Sequence, residues 1–187
     1  MAFVLGDRPI QPLTAHQALQ LLEVEILPNR NSLELLHGML TEKAVKGREH
    51  GVLKTRLIMW LAGARGSVLR VEEPIRVDDP TSLPEPDLVA VEPGDYLADV
   101  PLGAKLAIEV AKTSLKLDTE IKAPLYAATS VPDYWVVDVV ARRVRVYRDP
   151  TPDGYETITT HGPTGTLQPL AVDVEPLDLA ALFDGLR

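Results

Sequence analysis

Two apolar runs decide the fold: Leu106-Ala107-Ile108-Glu109-Val110-Ala111 and Tyr134-Trp135-Val136-Val137-Asp138-Val139-Val140. Each has the length and residue types of a strand. Between them, Leu117 to Ala128 reads as a helix. Strand, helix, strand over this length is the pattern of a βαβ crossover, whose two strands run parallel. Pro124 interrupts the helix. A proline inside a helix costs about 3 kcal/mol and removes a backbone bond, so the helix is expected to kink near Glu120 or to start later. Upstream, Asp87 opens the apolar run Leu88-Val89-Ala90-Val91, a third strand.

Further outward, Lys46 to Ala64 has helical spacing of Leu53, Leu57, Trp60 and Leu61, and Gly66 ends it. Leu33 to His37 and Met39 to Val45 read as two antiparallel strands around Gly38, preceded by a turn-rich break at Pro28–Ser32. Thr14 is placed to cap a short first helix. Val68–Val71 and Pro74–Val77 read as strand segments, and 78–86 as a loop. Downstream, Arg142–Arg148 and Tyr155–Thr160 form a hairpin with Pro152-Asp153-Gly154 at its tip, and Leu177–Leu186 forms a short amphipathic helix. The expectation is a single domain over residues 1–187, of the α/β class in its mixed-sheet (α+β) form, with antiparallel strands from the first part of the chain and helices flanking the sheet.

Composition narrows the function. The chain is 45% hydrophobic and 25% charged, an ordinary globular profile. No apolar run approaches the ~18 residues of a spanning helix, so no membrane partner is expected. The first residues lack the pattern of a secretory signal. There is no cysteine, which excludes disulfides, thiolate metal sites and cysteine nucleophiles and fits a cytoplasmic protein. The net charge of −8 argues against a dedicated nucleic-acid binder, but leaves room for an enzyme whose metal site needs carboxylates. No Gly-rich phosphate loop, G-x-S-x-G elbow or H-E-x-x-H zinc motif occurs.

Asp87 and Glu109 carry the chemistry. A lone glutamate inside an apolar strand needs a partner, because burying a carboxylate unpaired is costly. A divalent cation, an arginine or backbone amides would each serve. Two carboxylates on neighbouring strand ends suit Mg²⁺, which takes one or two and keeps several waters. Equally, Asp87 would cap a turn and Glu109 would be a paired structural charge. Asp118 and Lys122, four residues apart, share a helical face that Tyr126 extends. That face is either an exposed ion pair or a means of directing Lys122 at a developing anion.

Pro86-Asp87-Leu88-Val89, Ile108-Glu109-Val110, Asp118 to Tyr126 and Val131 to Asp138 occur in an order that resembles the Uma family of restriction endonucleases, within the PD-(D/E)XK nuclease superfamily. The resemblance covers about residues 33–148. It implies a restriction-endonuclease-like core, Mg²⁺ as cofactor with Mn²⁺ as a substitute, and DNA as substrate. Asp87 and Glu109 would be catalytic metal ligands, with the Val110 backbone carbonyl as a further ligand and Lys122 as the catalytic lysine. The lysine usual two residues after the acid is replaced by Ala111, so Lys122 on the following helix stands in for it. Cutting both strands of a duplex implies a homodimer.

Other residues have two readings each. His50 is a surface or capping histidine, or a site-lining donor as the resemblance suggests. Glu34 is a solvated strand residue or a third acidic ligand. Lys112 contacts phosphate or neutralises nearby acids. Tyr134-Trp135 is core packing with one ring on each face of the sheet, or a base-stacking pair. Arg142, Arg143, Arg145 and Arg148 meet phosphates or guard an edge strand. Three functions follow: a Mg²⁺-dependent DNA endonuclease, a catalytically silent nuclease-fold module for binding or assembly, and a hydrolase of another phosphoester.

Overall fold

A computed structural model describes residues 4–5, 8–9, 11–23, 32–44 and 46–186. The break at Pro28–Asn31 and most of the N-terminal stretch lie outside them. In chain order the elements are β1 (Val4–Leu5), β2 (Arg8–Pro9), α1 (Ala15–Glu23), β3 (Leu33–Leu36), β4 (Met39–Glu42), α2 (Arg48–Leu61), β5 (Val68–Val71), β6 (Leu88–Val91) and β7 (Leu106–Ala111). They continue with α3 (Leu115–Leu117), a π-helical turn (Asp118–Lys122), α4 (Ala123–Ala128), β8 (Asp133–Asp138), β9 (Arg143–Thr151), β10 (Gly154–His161), β11 (Thr166–Leu167), β12 (Leu177–Asp178) and α5 (Leu179–Phe183).

Six strands form the main sheet in the order β10-β9-β8-β7-β6-β5. Only β7 and β8 pair in parallel, as the crossover pattern requires, and the other neighbours are antiparallel. The two faces divide the apolar residues by period two. On one face Leu88, Ala90, Leu106, Ile108 and Trp135 pack with Leu53, Leu57 and Leu61 of α2 and with α5. On the other, Val89, Ala107, Ala111, Tyr134 and Val136 pack with Ala123 and Tyr126 of α4. Tyr134 and Trp135 thus go to opposite faces as core. Trp135 stacks on Trp60 of α2 at 5.6 Å, and the Tyr134 ring lies 4.8 Å from that of Tyr126.

The crossover is irregular where Pro124 predicts it. The Ala123 N–H reaches the Asp118 carbonyl, one residue further than in an α-helix, and Pro124 then falls in the first turn of α4. There its missing N–H costs little. The extra residue in the π turn brings both Asp118 and Lys122 to the buried side. Such one-turn bulges are frequent at functional sites.

Several expectations need correction. Pro74–Val77 is not a strand: proline offers no N–H there, and the segment holds on through single bonds, Ile75 to the Pro84 carbonyl and Arg76 to that of Pro101. The C-terminal segment begins as strand β12, and α5 is only the five residues that Asp178 caps through the Ala180 and Ala181 N–H groups. β9 is not an edge strand, since it lies between β8 and β10. The β3–β4 hairpin does not join the main sheet. It is a separate ribbon that meets the 79–85 loop, with the Leu83 N–H bonded to the Leu35 carbonyl.

At the N-terminus, Thr14 does cap α1. Its hydroxyl accepts from the Gln17 N–H while the Gln17 side chain accepts from the Thr14 N–H, a reciprocal capping box. The β3–β4 turn places His37 and Gly38 both at positive φ, 48° and 79°, as a two-residue primed turn demands. A Cβ on Gly38 would lie 2.2 Å from the Pro12 Cβ. Gly38→Ala is therefore expected to destabilise the protein by about 1–3 kcal/mol. Urea unfolding checks this, and an unchanged midpoint would refute the close packing of this turn.

Candidate active site at the carboxyl row

Strand register assembles the site. Val71 pairs with Leu88 and Leu88 with Ile108. Continuing each ladder by one residue sets Glu72, just after β5, and Asp87, just before β6, in a row with Glu109 inside β7. Like charges placed opposite one another repel, so each carboxylate must find positive charge or N–H donors.

Asp87 and Glu109 first clamp each other's backbone. The Asp87 N–H points at Glu109 Oε2 at 3.4 Å, and the Val110 N–H donates to Asp87 Oδ2 at 2.8 Å. His50, on the first turn of α2, is buried and places Nε2 at 3.1 and 3.2 Å from the two Asp87 oxygens. Its Nδ1 is buried with no hydrogen-bond partner among the described residues. The surface or capping reading of His50 is therefore wrong: helix α2 delivers it into the site.

Lys122 serves the third carboxylate. Its Nζ lies 3.0 Å from Glu109 Oε1 and 2.9 Å from Glu34 Oε2, with all three side chains buried. Tyr126 donates to the same Glu109 oxygen at 3.2 Å. Glu34 is thus buried rather than solvated, and it is the second counter-charge of Lys122. The exposed-pair reading of Asp118 and Lys122 also fails, since both are buried. Asp118 accepts from the Ser114 hydroxyl at 2.6 Å.

Electrostatics follow from this burial. Burial works to raise Asp87, but the His50 and Val110 hydrogen bonds overcome it and hold the carboxyl below its ordinary value. Burial pushes Glu109 well above the usual carboxylate range, against the pull of Lys122 and with help from the nearby acids. Burial likewise lifts Asp118 to about 6 despite Lys122 and Ser114. For Lys122, burial would lower the value, yet Glu109, Glu34 and Asp118 together hold it above normal. The cavity lining holds five acids, Glu34, Glu85, Asp87, Glu109 and Asp118, beside four lysines and His50.

The residues face a cavity of about 40 Å³, lined by Glu34, His50, Asp87, Glu109, Val110 and Lys122 among others. At ~10–15 Å³ per water it has room for an ion with a few waters. Among the described residues, no three His, Cys, Asp or Glu side chains are arranged to hold a metal together. Two adjacent carboxylates and space for water fit a Mg²⁺-type ion, which keeps much of its hydration.

Four of the remaining basic candidates are committed elsewhere. Lys112 lines the mouth but pairs with Glu49, the charge-neutralising reading. Arg148 holds Asp133 through two nitrogens, Arg143 holds Asp138, and Arg142 reaches the Leu186 carbonyl. Sequence reasoning missed Lys46, Lys54 and Glu72. Lys46 Nζ is 3.8 Å from Asp87 Oδ1, and both lysines reach Glu72. The signal available was positional: Glu72 ends a strand, and Lys54 lies one helical turn beyond His50.

The structure thus brings an acid pair on adjacent strands together with a buried lysine from the crossover helix. The chain belongs to the Uma2 family, whose model, described as "Putative restriction endonuclease", matches residues 17–180. That span extends beyond the 33–148 core on both sides. Its structure is similar to that of a protein described as "a putative nuclease belonging to DUF820" from Anabaena variabilis ATCC 29413. The TM-score is 0.73 at 16% identity, over 94% of this chain and 100% of that one, a likeness of fold. No curated protein matches the chain. Family and fold together support a nuclease. Among the described residues, no helix is long and apolar enough to cross a membrane.

Asp118 makes the electrostatics testable. A carboxyl raised from 3.8 to about 6 by folding binds its proton more tightly in the native state. Its stabilising effect is complete below pH ~4 and is lost as pH rises through about 6. Without divalent cations, Asp118→Asn should remove a loss of roughly 2–3 kcal/mol that the wild type suffers between those limits. Urea unfolding at both pH values measures it, and parallel pH dependence in the two proteins would refute the assignment.

Proposed function

We propose that the protein is a divalent-metal-dependent endonuclease that hydrolyses phosphodiester bonds in DNA, with Asp87, Glu109 and Lys122 as its catalytic residues. The observation that carries this reading is the register-matched pair Asp87–Glu109, with a buried lysine held on Glu109. Asp87, Glu109 and the Val110 carbonyl would hold Mg²⁺, or Mn²⁺ in its place. The ion would supply charge neutralisation at the phosphoryl group and an acidified water as nucleophile.

The protein's own groups do the rest. His50 and the Val110 N–H keep Asp87 ionised and oriented. Tyr126 and Lys122 hold one Glu109 oxygen and leave the other toward Asp87. Lys122 stays cationic against burial because Glu34 and Glu109 flank it, so its charge is available to an anion that develops beside Glu109. Position 111, where the usual motif has lysine, is a buried alanine, and the π turn is what delivers Lys122 instead. Cutting a duplex on both strands would take two copies of the chain. The residue range 1–187 is proposed to act as one domain.

A second reading has one observation in its favour. Lys122 is already matched by two carboxylates, which is also how a catalytically silent nuclease fold would satisfy a buried lysine.

One experiment separates the two. Mn²⁺ titration by calorimetry should show binding to the wild type and none to Asp87→Ala or Glu109→Ala. Lys122→Met should keep some binding yet lose Mg²⁺-dependent cleavage of plasmid DNA by at least ~100-fold. Cleavage that survives purification of Glu109→Ala would reject the assignment, and wild-type protein that neither binds Mn²⁺ nor cuts would favour the silent module.

A further inference from the structure

The outermost member of the carboxyl row behaves unlike the other two. Glu72 follows β5 with φ at 54°, the left-handed region that a glutamate rarely adopts. Such a conformation persists only where its surroundings hold it. Here the Glu72 N–H bonds to the Asp87 carbonyl at 3.2 Å, which ties the strained residue to the backbone of the site. A single oxygen, Glu72 Oε1, then accepts from two ammonium groups, those of Lys46 and Lys54. Lys43 and Lys112 at the same mouth each pair with a glutamate of their own, Glu85 and Glu49.

Two lysines converging on one anionic oxygen is the geometry in which a phosphate oxygen is held. The position is also right. Lys46 stands between Glu72 and Asp87, within 3.8 Å of the latter, so the lysine pair adjoins the cavity without entering the acid pair. Glu72 and Lys46 are each more than a third exposed, whereas Lys54 is 18% exposed and fixed on α2. The anion can therefore be exchanged from solvent while one cation stays in place. Burial acts to raise Glu72, but the two lysines outweigh it and hold the carboxyl ionised.

We propose that Lys46 and Lys54 form a subsite for a nucleic-acid backbone phosphate flanking the Asp87–Glu109 cavity, and that Glu72 occupies this subsite in the free protein until the phosphate displaces it. The inference rests on the nuclease reading and assigns it a substrate contact. It also explains how a chain of net charge −8 receives a polyanion. The cations are present at the mouth, and a resident carboxylate masks them.

The test uses opposite signs. Binding of a short fluorescently labelled DNA duplex is measured by anisotropy with Ca²⁺ in place of Mg²⁺, over a range of salt concentrations, on the full chain. Glu72→Gln keeps the shape and removes the competing charge, so it should bind severalfold more tightly. Lys54→Gln should bind severalfold more weakly, with a salt dependence shallower by about 0.9 in the log–log slope, as one lost phosphate contact requires. Thermal unfolding of each variant confirms the fold. If Glu72 is only a structural partner of the lysines, Glu72→Gln will bind no better than wild type, and that result overturns the proposal. So does the absence of duplex binding in every variant. Mn²⁺ titration of the same samples keeps the two questions apart, because ion binding that Glu109→Ala abolishes supports the metal site whatever the duplex does.

Discussion

Three carboxylates in register across three adjacent strands are the constraint on which this molecule is built. Glu72, Asp87 and Glu109 would repel one another at the edge of an apolar sheet. The fold answers each from a different element. The loop before α2, together with α2 itself, sends lysines to Glu72. The first turn of α2 sends His50 to Asp87, and the π turn sends Lys122 to Glu109. The degree of burial rises along the row, and the direction of the pKa shift reverses at its buried end. Glu72 and Asp87 are held below their ordinary values and Glu109 is driven well above.

That gradient gives the row its chemical character. At its exposed end, charge is exchangeable and can be traded with solvent anions. At its buried end, Lys122 and Glu34 form a dry ion pair whose removal in part would leave an uncompensated charge, a change that typically costs about 3–5 kcal/mol. Beside Asp87 and Glu109 lies a small cavity. A hydrated divalent cation is the partner that such a cavity suits, because it neutralises carboxylates while keeping the waters for which there is room.

The hairpin β3–β4 shows how the periphery serves the row. It pairs with no strand of the main sheet, yet it supplies Glu34, the second anion on Lys122. Its position depends on a turn that takes two positive φ angles and on Gly38 lying against Pro12. Likewise, two arginines of β9 are structural. Arg148 and Arg143 satisfy Asp133 and Asp138 at the two ends of β8, which secures the strand beside Glu109.

The sequence by itself determined the sheet's central strands, the crossover and the disturbance at Pro124, and it singled out Asp87, Glu109 and Lys122 as candidates. Each of these rests on local patterns: period two, helical spacing, a missing N–H, or a charge stranded in an apolar run. It did not determine which charges would be buried. Glu34, His50 and Asp118 all have ordinary surface readings in one dimension, and Pro74–Val77 has the composition of a strand. Only the tertiary structure decided these, because burial and pairing depend on residues distant in the chain: His50 meets Asp87 across 37 positions, and Glu34 meets Lys122 through a hairpin outside the sheet. The carboxyl row is the clearest case. Its members are spaced irregularly in sequence, and strand register alone brings them side by side.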